Sequence, residues 1–574
     1  MSDLLYPMGL ILSGWAVFFA ICYGLGRAIW KALHIDALDE FRGILTFWVG
    51  WGALVLFLQI WHLAFKVDSR AFAIVAVVAA ISLLLDWRNI LRDVYHLIRH
   101  RTLLCLAIAG VSVVFANQAM RPLYDYDTGL YHLQAIRWMQ DYPIIKGLGN
   151  LHGRFAFNNA NFLYVALVSV GPWRGAELNI ANSLLIMVAT AQALTGLDCA
   201  VRQRRNWKLK HVFAALMIFP VVDSALLRGT ISSPSSDVAS AMVQLSLMVL
   251  LLSFLQRKDY SGAQAFHELG LIVFLAALGI AIKLSSGAFS AAAVLLSVGV
   301  WLAHRRHVPQ RVVSSLAGLG LIGSVVLVPW MARGVVLSGY PLYPSTVLAA
   351  PVSWCVPAAS AESEARWIYS WARWPSHHPD EVLSSWDWLD PWLETQRDIP
   401  TAYLPALMAV AAALLVALRF ATDRHALARP GLAWTFLLPA TIAVGTWFFS
   451  APNPRFAVPS LYGTAIGACL LAVSSFRRST WTLLAVFLVA APLGWHLLKE
   501  ASPHLVHAGP ERGLHPVSSI ELRTYETESG LTLYCPASGD RCFDAPLPCT
   551  PYPNPRLRLR GDSFLSGFEI GTAE

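Results

Sequence analysis

Residues 238–258 read VASAMVQLSLMVLLLSFLQRK. An uncharged, mostly apolar run over 238–255 is followed at once by Arg257 and Lys258. At 1.5 Å per residue a helix of that length reaches about 27 Å, close to the roughly 30 Å core of a bilayer. The same unit recurs in both directions. Upstream it occupies 5–24, 43–65, 71–85, 103–119, 178–198 and 211–226; downstream 268–283, 287–303, 313–331, 402–420, 431–449, 457–474 and 481–498. The pattern predicts an all-α polytopic membrane protein of about fourteen spans over residues 1–498. Composition agrees: 56% of the 574 residues are hydrophobic and only 14% charged, with mean hydropathy +0.53. A water-facing globular surface carries about 25% charged residues. Trp30, Trp87, Trp173, Trp330 and Trp481 stand near segment ends, as an interfacial aromatic belt requires.

The net charge of +8 does not point to nucleic acid, because its carriers lie in short loops between spans. Arg88, Arg92, Arg99 and Arg101 precede one span; Arg202, Arg204, Arg205, Lys208 and Lys210 precede another. Arg257, Lys258, Arg305, Arg306, Arg311, Arg419, Arg424, Arg429, Arg477 and Arg478 follow in later loops. Fourteen spans bring all of these to one side, and the positive-inside rule makes that side the cytoplasm. The start MSDLLYP has no basic residue, which predicts an outside N-terminus rather than a secretory signal. The polar stretches 120–177, 333–401 and the tail 499–574 then lie outside. Residues 161–172 are apolar but short; a span there would reverse every later loop, so an interfacial or re-entrant helix is expected.

Cysteine placement follows the same division. Cys22, Cys105, Cys199 and Cys469 fall in spans or at their cytoplasmic ends, whereas Cys355, Cys535, Cys542 and Cys549 fall in outside segments. In an oxidising space these four allow up to two disulfides with three pairings. The Pro-rich tail can build little core by itself, so a covalent staple is expected there.

The chemistry concentrates in residues 121–164, RPLYDYDTGLYHLQAIRWMQDYPIIKGLGNLHGRFAFNNANFLY. Asp125, Asp127, His132, Arg137, Lys146, His152, Arg154, Asn158 and Asn159 crowd one loop beside a span. Leu130, Leu133, Ile136 and Trp138 recur at helical spacing, which predicts an amphipathic surface helix over 128–140 with Asp127 at its N-terminal end. Carboxylates among cations supply a general base together with partners for a phosphate.

The layout resembles the GT-C glycosyltransferases, in which an acidic residue of the first large outside loop follows a span. Here YDYDTGLYHLQAIRW matches, with Asp127 in the acidic slot and Tyr131 four residues on. NFLYVALVSV, ELNIANSLLIMVATAQAL, SSPSSDVASAMVQLSLMVLLL, WMARGVVLSGYPLYPS and APNPRFAVPS resemble later elements of that family. The tail GDRCFDAPLPCTPYPNPRLRLRGDSFLSGF resembles the ending of an uncharacterised bacterial branch associated with surface polysaccharide synthesis. The acidic pair is Asp-Tyr-Asp, not two adjacent acids, which leaves open which Asp acts.

The resemblance implies a GT-C-like bundle in a bacterial inner membrane, with its site facing the periplasm or cell exterior. It implies transfer of a sugar from a polyprenyl-phosphate-linked donor to a glycan or glycolipid acceptor, with inversion. Asp127 or Asp125 is the expected base. His132, Lys146, His152, Arg154, Asn158, Asn159, Asp237, Lys283, Arg333 and Arg455 are the expected binding residues. No cofactor is called for. His377 and His378 are adjacent, point apart and have no further ligands in sequence, so no metal is assigned. No Gly-rich phosphate loop occurs. Competing expectations are a lipid-linked glycan transporter or flippase, and an O-antigen polymerase or ligase.

Overall fold

A computed structural model describes residues 2–34, 40–122, 125–203, 208–227, 229–304, 309–422, 432–474, 494 and 520–571. The chain is mostly helical and is a multi-pass membrane protein by the length and apolarity of its helices. Among the described residues eight helices are long and apolar enough to cross a bilayer unaided: Leu5–Ala32, Arg42–Trp61, Glu177–Arg202, Ser236–Leu255, Ala263–Ile282, Leu284–Ala303, Val312–Ser338 and Pro400–Ala417. A ninth arises if Ser69–Leu85 and Trp87–His100, bent by 76° at their junction, count as one.

This is fewer than the fourteen spans expected. Thr102–Gln118, Trp434–Ser450 and Val458–Ala472 are apolar helices but shorter than a full span. Segment 211–226 is divided into Leu209–Leu216, Ile218–Val222 and a wide π-turn over Asp223–Leu227. The break falls at Met217, three residues before Pro220, which has no N–H and whose ring crowds the preceding turn. Segment 481–498 lies outside the described residues.

Ser236–Leu255 is the central helix, with every residue but Asp237 and Ser253 buried. Around it the helices pack through small residues. A β-carbon on Gly50 would sit 1.6 Å from the Cys22 carbonyl oxygen, and one on Gly26 1.9 Å from that of Thr46. Only glycine lets these two backbones touch, a common route to helix pairing in lipid.

Ion pairs Arg27–Asp86, Arg101–Asp198, Lys210–Glu40 and Arg257–Glu268 join helix ends at one end of the bundle. At the other end, loops 125–160 and 339–399 meet the tail, through Gly129, Gln134, Arg137 and Asn150 of the first and Ser353 of the second. The tail folds as two antiparallel pairs, Leu522–Glu526 with Thr532–Pro536 and Leu557–Leu559 with Phe568–Ile570.

Two expectations are corrected and two are narrowed. Trp30, Trp173 and Trp330 are buried within the protein, so only Trp87 of the described belt candidates is exposed; Trp481 lies outside the described residues. The region 128–140 is a π-turn over Thr128–His132 continuing as the helix Leu133–Asp141, and it is largely buried. Its polar face is partly covered by the tail: Gln134 donates to the carbonyls of Phe543 and Ala545, at 3.0 and 2.8 Å. The short helix Asn161–Val168 is buried along its whole length, which removes the interfacial alternative and leaves the re-entrant one. Of the four cysteines, Cys542 and Cys549 form one disulfide, whereas Cys535 is a buried thiol and Cys355 a half-buried one. Cys355 packs its sulfur against Gly339. The disulfide spans a sequence separation of 7, and closing so short a loop contributes about 2–3 kcal/mol in the chain-entropy account.

Candidate functional site

The site forms where the loop 125–132 meets the start of the central helix. Asp127 has helical backbone angles and its side chain caps no helix. Its carboxylate is instead gripped by two arginines. Arg154 Nη1 donates at 3.3 Å and Arg455 Nη2 at 2.7 Å, from positions 27 and 328 residues away in the chain. Arg154 also pairs with Glu364 at 3.1 Å and lies over the Tyr131 ring. Arg455 lies over the rings of Trp371 and Phe456.

Asp125 faces the same space and is held differently. One oxygen accepts from the Asp127 N–H at 3.2 Å; the other accepts from the Ser233 hydroxyl at 2.9 Å and lies 4.0 Å from His132 Nδ1. The π-turn explains this convergence. A wider turn than an α-helix directs Thr128 and His132 to the same side, where Thr128 Oγ1 and His132 Nδ1 lie 3.2 Å apart.

Beneath lies a polar floor. Asn182 donates to the carbonyls of Ser233 and Ser235, each at 2.8 Å, and Asn161 donates to Pro234 and Asn182. The turn 233–235 is thereby fixed, and Ser235 caps the central helix by accepting from Asp237 N–H at 3.3 Å. Asp237 pairs with Lys283, whose ammonium stands 4.3 Å from the centre of the Phe456 ring. One chain of contacts thus joins Asp125, Asp127, Asp237 and Glu364 to Arg154, Arg455 and Lys283.

Burial works against the charge on Asp127, but Arg455, His132 and Arg154 together hold its carboxyl below the usual range. Arg455 and Arg154 lose solvation by burial yet are held more firmly protonated by the acids around them. Burial also pulls His132 below its ordinary value, against the opposing charges of Asp125, Asp127 and Asp237.

The tail closes this loop from above. Phe543 N–H donates to the Gly129 carbonyl at 2.8 Å, and a β-carbon at Gly129 would lie 2.7 Å from the Phe543 ring. Tyr126 bonds Asp540, Arg137 bonds Asp544, and Arg541 lies over Tyr126. Phe543 follows Cys542 directly, so the disulfide holds the segment that holds the loop.

Asp125, Asp127, His132, Arg154, Asp237, Lys283 and Arg455 therefore share one cluster. Other expected binding residues stand apart. Lys146 is exposed over the Trp354 ring, with its backbone carbonyl bonded to Phe568 of the tail. Arg333 is buried and bonds His62 Nδ1 at 2.8 Å and Asn158 Oδ1 at 3.3 Å, where it ties helices together and meets no headgroup. Asn158 adopts a left-handed backbone, φ 53°, and also bonds Trp330. The Asn159 carbonyl accepts from Phe162 N–H at the start of the helix Asn161–Val168. Ser233, Glu364, Trp371, Asn161 and Asn182 were not among the expected residues; no short motif marks them. Among the described residues no group of three or more His, Cys, Asp or Glu could hold a metal ion.

His152 accepts from Arg154 N–H at 3.2 Å, and its buried Nε2 has no partner among the described residues. Its ring packs on Phe155 and on Tyr552 of the tail. Burial, aided by Arg154, pushes its pKa from 6.5 down to about 3. A histidine depressed on folding favours the folded state above its unfolded pKa, and that contribution is lost as pH falls. Thermal stability is therefore expected to drop as pH falls from 6.5 towards 3. His152→Gln should flatten that slope in melting curves; an unchanged slope rejects the assignment.

No curated protein and no solved structure matches the chain. A family model described as a domain of unknown function matches residues 8–462, which include every member of the charged cluster and exclude the tail. The chain belongs to that family, DUF8201.

Proposed function

We propose that the protein is a GT-C-type glycosyltransferase that moves a sugar from a polyprenyl-phosphate donor to a glycan or glycolipid acceptor. On this reading the loop end faces outward from a bacterial inner membrane, where no nucleotide pool exists and a lipid-linked donor is the coherent choice; Arg101, Lys210 and Arg257 at the opposite end of the bundle support it. One observation carries the reading: a carboxylate at the mouth of the bundle holds two guanidiniums beside a second carboxylate. Paired as it is, Asp127 is a weak base, because both arginines stabilise its charge. A phosphate entering between Arg154 and Arg455 takes over those bonds, since guanidinium binds phosphate with two parallel contacts. Asp127 is then free to accept the proton of the acceptor hydroxyl as that oxygen attacks the anomeric carbon. The bond to the phosphate oxygen breaks on the opposite face, the arginines hold the departing phosphate, and the configuration inverts. Asp125, fixed by Ser233, orients the acceptor.

Transport of a lipid-linked glycan is a second reading. It draws on the interruption within 209–227 and on Asp223, buried beside Thr401. Purified protein in nanodiscs, given a radiolabelled polyprenyl-phosphate sugar and acceptor, decides between them. Label appearing in the acceptor supports transfer. Label that crosses a vesicle bilayer while still on its lipid supports transport and rejects transfer.

A further inference from the structure

Trp87–His100 is a helix of 14 residues, none of them buried. It leaves the apolar helix Ser69–Leu85 at a bend of 76°, so where that helix runs across the bilayer this one runs close to its plane. Both ends are tied to the bundle. At the first, Asp86 pairs with Arg27 and accepts from Asn89 at 2.7 Å. At the second, Arg101 donates to Asp198 at 2.5 Å. The segment is thus held against the basic end of the protein without packing into it.

Its sequence divides by face. At 100° per residue, Trp87, Ile90, Leu91, Val94, Tyr95, Leu97 and Ile98 fall within an arc of about 160°, and Arg88, Arg92 and Arg99 within about 40° on one flank. Each of the six large exposed members, Trp87, Leu91, Val94, Tyr95, Leu97 and Ile98, is at least 43% exposed. Two of the arginines lean on aromatic residues of that arc. Arg88 lies 5.6 Å from the Trp87 ring centre, and Arg99 donates to the Tyr95 hydroxyl at 2.7 Å. Aromatic rings with guanidiniums just above them fit the depth at which acyl chains give way to phosphates.

We infer that Trp87–His100 is an interfacial helix that binds anionic phospholipid: its apolar arc sits in the acyl boundary, and Arg88, Arg92 and Arg99 engage headgroup phosphates. The occupant is a lipid surface and not a protein, because the basic flank runs from Arg88 to Arg99 along one side of the apolar face, with Asp93 on the other, and both anchors lie at one end of the bundle. The assignment does not depend on the proposed enzymatic activity.

The test uses the full chain in nanodiscs of phosphatidylcholine alone or mixed with phosphatidylglycerol. Nitroxides placed singly at 91, 94, 98 and 96 report depth. The first three are expected to be accessible to oxygen and shielded from a water-soluble nickel complex, and position 96 the reverse. Native mass spectrometry then counts bound phosphatidylglycerol. Replacing Arg88, Arg92 and Arg99 together by Gln is expected to weaken that binding roughly 100-fold. None of the three is packed in the bundle, and Arg88→Gln alone gives the same readout in smaller measure. Four water-exposed labels overturn the inference. So does spin coupling between copies at 94, which makes the face a protein contact, and so does unchanged lipid binding by the triple variant.

Discussion

Asp127→Asn is expected to lower the rate of sugar transfer roughly 10²–10⁴-fold, the usual worth of a positioned general base. The substitution keeps shape and one oxygen for Arg455 but removes charge and basicity. It has a second signature. With Asn at 127, neither arginine pairs with that carboxylate; Arg455 is freed for the donor phosphate and Arg154 keeps only Glu364, so KM for the donor should fall or stay level while kcat collapses. A residue that only positioned the arginines would raise KM instead. Because Arg154 keeps Glu364 and Arg455 keeps its stacking on Trp371 and Phe456, the fold should survive. Steady-state kinetics on monodisperse protein decides. Transfer within a few-fold of wild type shifts the base to Asp125, and if both carboxylates can be removed without effect the glycosyltransferase reading falls.

Arg455→Ala is the counterpart. It removes the shorter of the two contacts to Asp127, at 2.7 Å, and one of the two guanidiniums proposed to hold the phosphate. Hydrogen bonds to charged groups contribute about 1.5–3 kcal/mol, so kcat/KM for the donor should drop roughly 10–10²-fold, largely as a raised KM. Arg455→Lys keeps the charge but loses the planar fork and should recover only part of the loss. Titration with a non-transferable polyprenyl phosphate separates binding from chemistry. Equal affinity in the Ala variant rejects a phosphate role for Arg455.

The two variants test opposite halves of one ion pair and should not add. Removing either partner leaves the other altered, so the double variant is expected to resemble Asp127→Asn in kcat and Arg455→Ala in donor affinity. The tail bears on both. It lies outside the family-matched region, yet its Phe543 carries the hydrogen bond to Gly129, two residues from Asp127. The family core carries the charged groups, and a disulfide-closed segment beyond it holds their loop in place.

What the sequence determined by itself is the class of protein and the neighbourhood of the site. Apolar runs near the width of a bilayer must be helical in lipid, because no water is there to satisfy their backbone; that constraint is local and can be read residue by residue. The crowding of Asp125, Asp127, His132 and Arg154 in one loop is also visible in the chain. What only the tertiary structure decided is which groups touch. Periodicity showed that 128–140 has two faces but not that residues 543–545 would cover the polar one. Length separated the eight full spans from shorter helices only once the ends, such as the break at Met217, were fixed in space. Arg333 and Arg455 look alike in sequence, each at the end of an apolar run. One is locked between His62 and Asn158 and the other reaches Asp127, because ion pairing depends on distances of a few ångströms across the fold, which spacing along the chain does not encode.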